Sequence, residues 1–110
     1  MKIQELTPQL SVSAQITAAD LKFVKQQGFG SIICNRPDGE SADQPTFAEI
    51  ANAAKELGLQ TYYLPIASGN VSDEEATEFG KVMGELPGPT LAYCRSGMRS
   101  TILHDRWTAL

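Results

Sequence analysis

The sequence predicts an α/β fold, with a small central, mainly parallel sheet flanked by helices. Three observations point there. Short runs rich in β-branched and aromatic residues alternate with amphipathic stretches of roughly ten residues, the pattern of right-handed βαβ units. Three of those stretches open on Ser or Thr with a carboxylate three residues later, a helix-capping signature. Gly and Pro punctuate the junctions.

Taken in order, Gln9 to Val12 reads as a first strand. Thr17-Ala18-Ala19-Asp20 is a capping box with Asp in place of the usual Glu, opening a helix that carries Leu21, Phe23 and Val24 and stops at Gly28. Ser31-Ile32-Ile33-Cys34 is a buried strand, followed by the polar turn-forming loop Asn35-Arg36-Pro37-Asp38-Gly39-Glu40. Thr46-Phe47-Ala48-Glu49 caps a second helix, with Phe47, Ile50, Ala51, Ala54 and Leu57 on one stripe, ending at Gly58. Thr61 to Pro65 is the next strand. Ser72-Asp73-Glu74-Glu75 opens a third helix that runs through Phe79 and Met83 to Gly84. After the Pro87-Gly88-Pro89 turn, Thr90 to Tyr93 is the last strand, and Ser100 to Leu110 the last helix. Tyr62, Tyr63, Phe47, Phe79 and Trp107 read as core or half-buried packing.

The 110 residues suit one domain spanning 1–110. A net charge of −4 argues against recruitment of nucleic acid or of an anionic membrane. Met1 to Pro8 has no apolar signal-peptide region, and no apolar run approaches the roughly 20 residues that span a bilayer, so a cytoplasmic location is expected. Cys34 and Cys94 are too few for a disulfide framework and form no CxxC pair, so both read as thiols. One histidine and no Cys/His cluster predict no metal site, and no cofactor is expected.

In a parallel sheet, ligands bind beyond the carboxyl ends of the strands. That places the chemistry at Tyr93-Cys94-Arg95-Ser96-Gly97-Met98-Arg99-Ser100, a strand running through a tight loop into a helix. Loop amides and the positive end of the helix dipole form an anion-binding nest. Gly97 frees the backbone for it. Arg95 and Arg99 add fixed positive charge, and Arg can bind an oxyanion through two hydrogen bonds. In that field the Cys94 pKa is expected below the free value of about 8.5.

These residues, with Leu6-Thr7-Pro8-Gln9-Leu10-Ser11-Val12-Ser13-Ala14-Gln15 and the stretch from Gly28 to Glu40, resemble the phosphatase-like domain of the beta-lactamase-hydrolase-like family, a bacterial family related in fold to protein tyrosine and dual-specificity phosphatases. The resemblance covers nearly the whole chain and implies a protein tyrosine phosphatase-like sheet. Three departures stand out. The phosphatase signature places five residues between Cys and Arg, whereas four separate Cys94 from Arg99, and Ser100 stands where the Arg would be. Tyr93 replaces the usual His. The mobile Asp that protonates the leaving oxygen is expected soon after Pro65, where the chain reads Ile66-Ala67-Ser68-Gly69-Asn70-Val71-Ser72-Asp73. Asp73 is the candidate general acid, although a first-turn helix acid explains it too.

The same loop resembles that of single-domain rhodanese sulfurtransferases. Sulfur transfer needs no acid, so the short loop and the missing Asp favour a Cys94 persulfide. The first expectation is therefore a cysteine-dependent sulfurtransferase with a small sulfane-sulfur donor and a thiol acceptor. Cys94 is the nucleophile, the amides from Arg95 through Met98 to Arg99 form the cradle, and Ser96 and Ser100 donate hydrogen bonds. The alternatives are a phosphatase acting on a phosphorylated substrate through phosphocysteine, and a non-catalytic anion- or thiol-sensing module. Relatives of the domain are fused to persulfide-dioxygenase-like domains, which makes such a protein the expected partner. Arg36, Asp38 and Glu40 are candidates for reading the substrate, or are a solvated loop. Cys34 is either a resolving thiol for Cys94 or, by preference, a small strand-end residue, and His104 reads as a surface residue.

Overall fold

The computed structural model describes residues 1–67 and 70–110. Five strands and four α-helices follow one another as β1 (Ile3–Thr7), β2 (Leu10–Ser13), α1 (Leu21–Gln26), β3 (Ser31–Cys34), α2 (Phe47–Glu56), β4 (Gln60–Tyr63), α3 (Asp73–Glu85), β5 (Thr90–Tyr93) and α4 (Met98–Ala109). A single 3₁₀ turn, Ala18–Asp20, leads into α1. The sheet order is β1-β2-β5-β3-β4. β2, β5, β3 and β4 are parallel, as the βαβ alternation predicts, but β1 pairs antiparallel with β2. The sheet is therefore mixed, and the expected first strand is the second. β1 escapes a sequence reading because Ile3-Gln4-Glu5-Leu6-Thr7 has its two apolar residues three apart, off the strand period of two.

The capping signatures set the helix starts. Thr46 Oγ accepts the Glu49 amide at 3.2 Å. Ser72 and Glu75 cap each other reciprocally, the Glu75 amide donating to Ser72 Oγ at 3.0 Å and the Ser72 amide to Glu75 Oε1 at 2.9 Å. The Asp20 carboxylate accepts the Thr17 amide at 2.8 Å. Each such cap contributes about 1 kcal/mol. The last helix begins two residues earlier than expected, because Gly97 turns the chain into it.

Side-chain alternation splits the core between the two sheet faces. Ile32, Cys34, Leu91 and Tyr93 point to one face, where Leu21, Val24, Ile50 and Ala54 of α1 and α2 cover them. Val12, Ile33 and Ala92 point to the other, against Phe79, Val82 and Leu103 of α3 and α4. Each fully buried large side chain contributes roughly 1.5–3 kcal/mol. The aromatics pack as expected: Phe47 stacks on Tyr63 at 4.8 Å, and Phe79 meets Trp107 edge-on at 6.2 Å.

α3 and α4 approach closely at Gly80, where an added Cβ would run into the Trp107 indole. Gly80→Ala should therefore destabilise the chain by about 1–3 kcal/mol through overpacking, despite alanine's better helix propensity. A chemical-denaturation midpoint at or above wild type would contradict this. Among the described residues no helix is long and apolar enough to cross a membrane.

Candidate active site

Parallel register brings the carboxyl ends of β2, β5 and β3 level, with Ser13 and Cys34 each opposite Tyr93. The loop after β5 therefore emerges between two others and is stitched to both. The Cys94 amide donates to Ser13 O at 3.4 Å, Gln15 to Arg95 O at 3.3 Å, and Asn35 to Tyr93 O at 2.8 Å. Gly97 turns the chain into α4 at φ +94°, a conformation L side chains rarely adopt. Its missing side chain also matters, since a Cβ there would lie 3.3 Å from Ser13 O.

Cys94 is 1% exposed. The Gly97 amide donates to its sulfur at 3.0 Å. Burial pushes the thiol up, but the backbone N–H groups of Ser100, Arg99, Ser96 and Gly97 all lower it, and the net shift is downward. Burial drives Cys34 the other way, above its ordinary value. Two separable thiol titrations should follow, the lower one beneath the ordinary thiol value. Ultraviolet thiolate absorbance across pH reads this directly. Cys94→Ser should erase only the lower step, and a single step at or above the free value would contradict the geometry.

Arg99 is only 9% exposed, and its charge is matched on the spot. Nη1 and Nη2 donate to Glu40 Oε2 and Oε1 at 2.7 and 2.8 Å, and Nη1 also donates to Ile66 O at 2.9 Å. The bidentate bond from Arg99 holds the Glu40 carboxyl below the usual glutamate range. Arg36, also buried, donates through Nε to Glu40 Oε1 at 3.1 Å and through Nη1 to Gln15 Oε1 at 3.1 Å. Glu40 thus links the loop after β3 to the first turn of α4.

The candidates sort cleanly. The loop borders a cavity of about 370 Å³ lined by the cationic Arg95 and Arg99, the apolar Val71, Met98 and Ile102, and the polar Asn70 and Ser96. Arg36 does not reach this cavity; it acts through Glu40. Ser100 presents its amide to the sulfur, but its hydroxyl donates to Asn35 Oδ1 at 2.7 Å rather than to the thiol. Ser96 Oγ accepts the Met98 amide at 3.3 Å. Asp73 lies at the exposed start of α3, where Arg106 Nη1 donates to its Oδ1 at 2.8 Å, and it lines other clefts than the one beside Cys94. Asp38 is tied down as well, accepting the Phe47 amide at 2.8 Å. Cys34 shares a face with Tyr93, and its thiol donates to Arg36 O at 3.3 Å. Cys94, one residue further along, turns into the amide nest. That alternation favours packing over a resolving role for Cys34. His104 is half-buried rather than on the surface, edge-on to Trp107 at 6.3 Å.

Asn35 was not foreseen as a site residue. It is buried, and its Nδ2 donates to Leu64 O at 3.0 Å while its Oδ1 holds Ser100. Its position in the turn-rich loop after β3 was a visible signal; its partner 65 residues away was not.

The family model for the phosphatase-like domain of beta-lactamase hydrolase-like proteins matches residues 2–109. The beta-lactamase hydrolase-like protein of Agrobacterium fabrum is 32% identical over 110 residues, covering all of this chain and 26% of that protein. Its counterpart in Xylella fastidiosa strain Temecula1 is 29% identical over 104 residues, covering 94% of this chain and 24% of that protein. The chain therefore spans about a quarter of the curated relatives it matches. Among solved structures, a candidate phosphatase from Neisseria meningitidis superposes with a TM-score of 0.89 at 36% identity, over 94% of this chain and 73% of that one. The core catalytic domain of the S. cerevisiae PP-IP phosphatase shares the fold at a TM-score of 0.68 and 15% identity, over 97% of this chain and 74% of that one. With the mixed sheet, the Cys94 loop and these matches together, the chain belongs to the phosphatase-like domain family of the beta-lactamase hydrolase-like proteins.

Proposed function

We propose that this chain is a cysteine-dependent phosphohydrolase. The observation that carries the proposal is a buried Cys94 sulfur that accepts the Gly97 amide at 3.0 Å in a strand-to-helix loop whose neighbouring amides also lower the thiol pKa, with Arg99 fixed by Glu40. The Cys94 thiolate attacks phosphorus, and the bond to the leaving oxygen breaks. Water then attacks the phosphocysteine, the sulfur–phosphorus bond breaks, and the thiolate returns. The amides that now face the sulfur are the donors for the equatorial oxygens of a phosphoryl group carried on it. Arg99 lends positive charge to the same oxygens, and Glu40 fixes its direction. The solved phosphatases and phosphatase candidates that share this fold support hydrolysis over the sulfur transfer that the loop spacing favours.

A second reading keeps one specific observation on its side. Four residues, not five, separate Cys94 from Arg99, and among the described residues no carboxylate lines the cavity. A persulfide on Cys94 would occupy the same nest and needs no proton donor. Two measurements on one preparation separate the readings: p-nitrophenyl phosphate turnover, and intact mass after brief thiosulfate treatment. Phosphate release that requires Cys94 is the expected result. A gain of one sulfur on wild type but not on Cys94→Ser, with no phosphate release, would replace hydrolysis by sulfur transfer.

A further inference from the structure

Resting on the hydrolase reading, we infer that the site is built for phosphoryl substrates whose leaving oxygen departs as a stable anion, namely phosphoanhydrides, acyl phosphates and aryl phosphates, and that it discriminates against alkyl phosphate monoesters. The carboxylates of Glu40, Asp38 and Asp73 are otherwise employed. Both oxygens of Glu40 are held by guanidinium groups, which keep it ionised and unable to hand over a proton. Asp38 accepts a backbone amide at the start of α2, and Asp73 is paired with Arg106 away from the cavity. The cavity beside the loop is lined by Arg95, Arg99, Ser96, Asn70, Val71, Met98 and Ile102 and, among the described residues, by no carboxylate. Ser68 and Gly69, in the stretch after β4 where the phosphatase resemblance places such an acid, lie outside the described residues, and neither side chain is a carboxylic acid.

The consequence follows from leaving-group basicity. When Cys94 forms its bond to phosphorus, the electron pair of the breaking phosphorus–oxygen bond leaves on that oxygen. An alkoxide, whose conjugate acid is about as weak an acid as water, must take a proton as it goes. A phenoxide, whose conjugate acid has a pKa of about 10, can leave without one, and a phosphate, whose second pKa is about 6, leaves readily. General acid catalysis supplies typically 10²–10⁴-fold. A site without it forfeits that factor on alkyl esters and little of it on anhydrides. Arg95, exposed at the cavity wall, offers charge to the departing anion where other enzymes offer a proton.

The test is a structure–reactivity series on wild type. Substituted phenyl phosphates of graded leaving-group pKa would be assayed with acetyl phosphate, pyrophosphate and glycerol phosphate. A steep, unbroken fall of log kcat/KM with leaving-group pKa is expected, with glycerol phosphate at least about 10²–10⁴-fold below the activated substrates and no basic limb in the pH profile. Asp73→Asn should leave the slope unchanged, and Arg95→Ala should steepen it. A shallow slope, comparable turnover of glycerol phosphate, or a slope that changes in Asp73→Asn would each overturn the inference while leaving the hydrolase reading intact. Turnover of none of these substrates, alongside a sulfur adduct on Cys94, would remove both.

Discussion

Cys94→Ser should lower kcat by a factor on the order of 10⁶, the cost of losing a catalytic nucleophile, with circular dichroism and the thermal midpoint close to wild type. The size of the effect follows from the nest. Its amides lower the pKa of the thiol and so favour the thiolate that attacks. The same downward push on a serine hydroxyl leaves it protonated at neutral pH, so the variant binds the anion but does not attack it. The fold should survive because the loop is held by backbone bonds to Ser13, Gln15 and Asn35 that do not involve the sulfur. The discriminating readout is ligand-induced stabilisation: the variant should still gain thermal stability with vanadate or phosphate while showing no turnover. Residual turnover within about tenfold of wild type would show that the nucleophile lies elsewhere.

Glu40→Ala should have the second-largest effect, on stability and activity together. It leaves two guanidinium groups, those of Arg36 and Arg99, buried at 6% and 9% exposure without their anion. Breaking a buried pair by removing one partner costs about 3–5 kcal/mol. The lower end applies, because the Glu40 side chain is 24% exposed and water partly screens it. Activity should drop by about 10²-fold as Arg99 loses its direction. Glu40→Gln, which keeps an acceptor oxygen, should fall between the two. The pH dependence has a definite sign. The folded carboxyl is held below its unfolded value, so its stabilisation is fully present above the ordinary glutamate range and is lost as pH falls through the lower folded value. Urea titrations at descending pH should show wild type losing stability there and Glu40→Ala losing less. A wild-type-like midpoint for Glu40→Ala at neutral pH would mean that the bidentate pair contributes nothing.

The parts of the fold that could be read in the sequence are those with strong local chemistry. Ser31–Cys34 and Thr90–Tyr93 were placed to the residue because both are fully buried apolar runs between turn residues. The helix starts at Phe47 and Asp73 were placed by their caps. The nest around Cys94 was legible for the same reason: all its parts lie within seven consecutive residues. What stayed hidden depends on topology. That Glu40 would take both ends of Arg99, 59 residues away, follows only from β3 lying beside β5. Ser100 was expected to serve the sulfur, and only the tertiary contact with Asn35 shows its hydroxyl taken. β1 was missed because its register shifts between Glu5 and Thr7, so its burial does not alternate in the way a regular strand's does.

That irregular strand has a further effect. By lying along Leu10–Ser13 it closes off the fully buried β2, and it becomes the sheet margin itself. A margin made of Gln4 and Glu5, short and interrupted by a register shift, is a poor template for another strand. A regular apolar strand in the same place would invite neighbouring molecules to extend the sheet from chain to chain. Ile3–Thr7 thus offers a passing strand fewer backbone groups in register than a regular edge would.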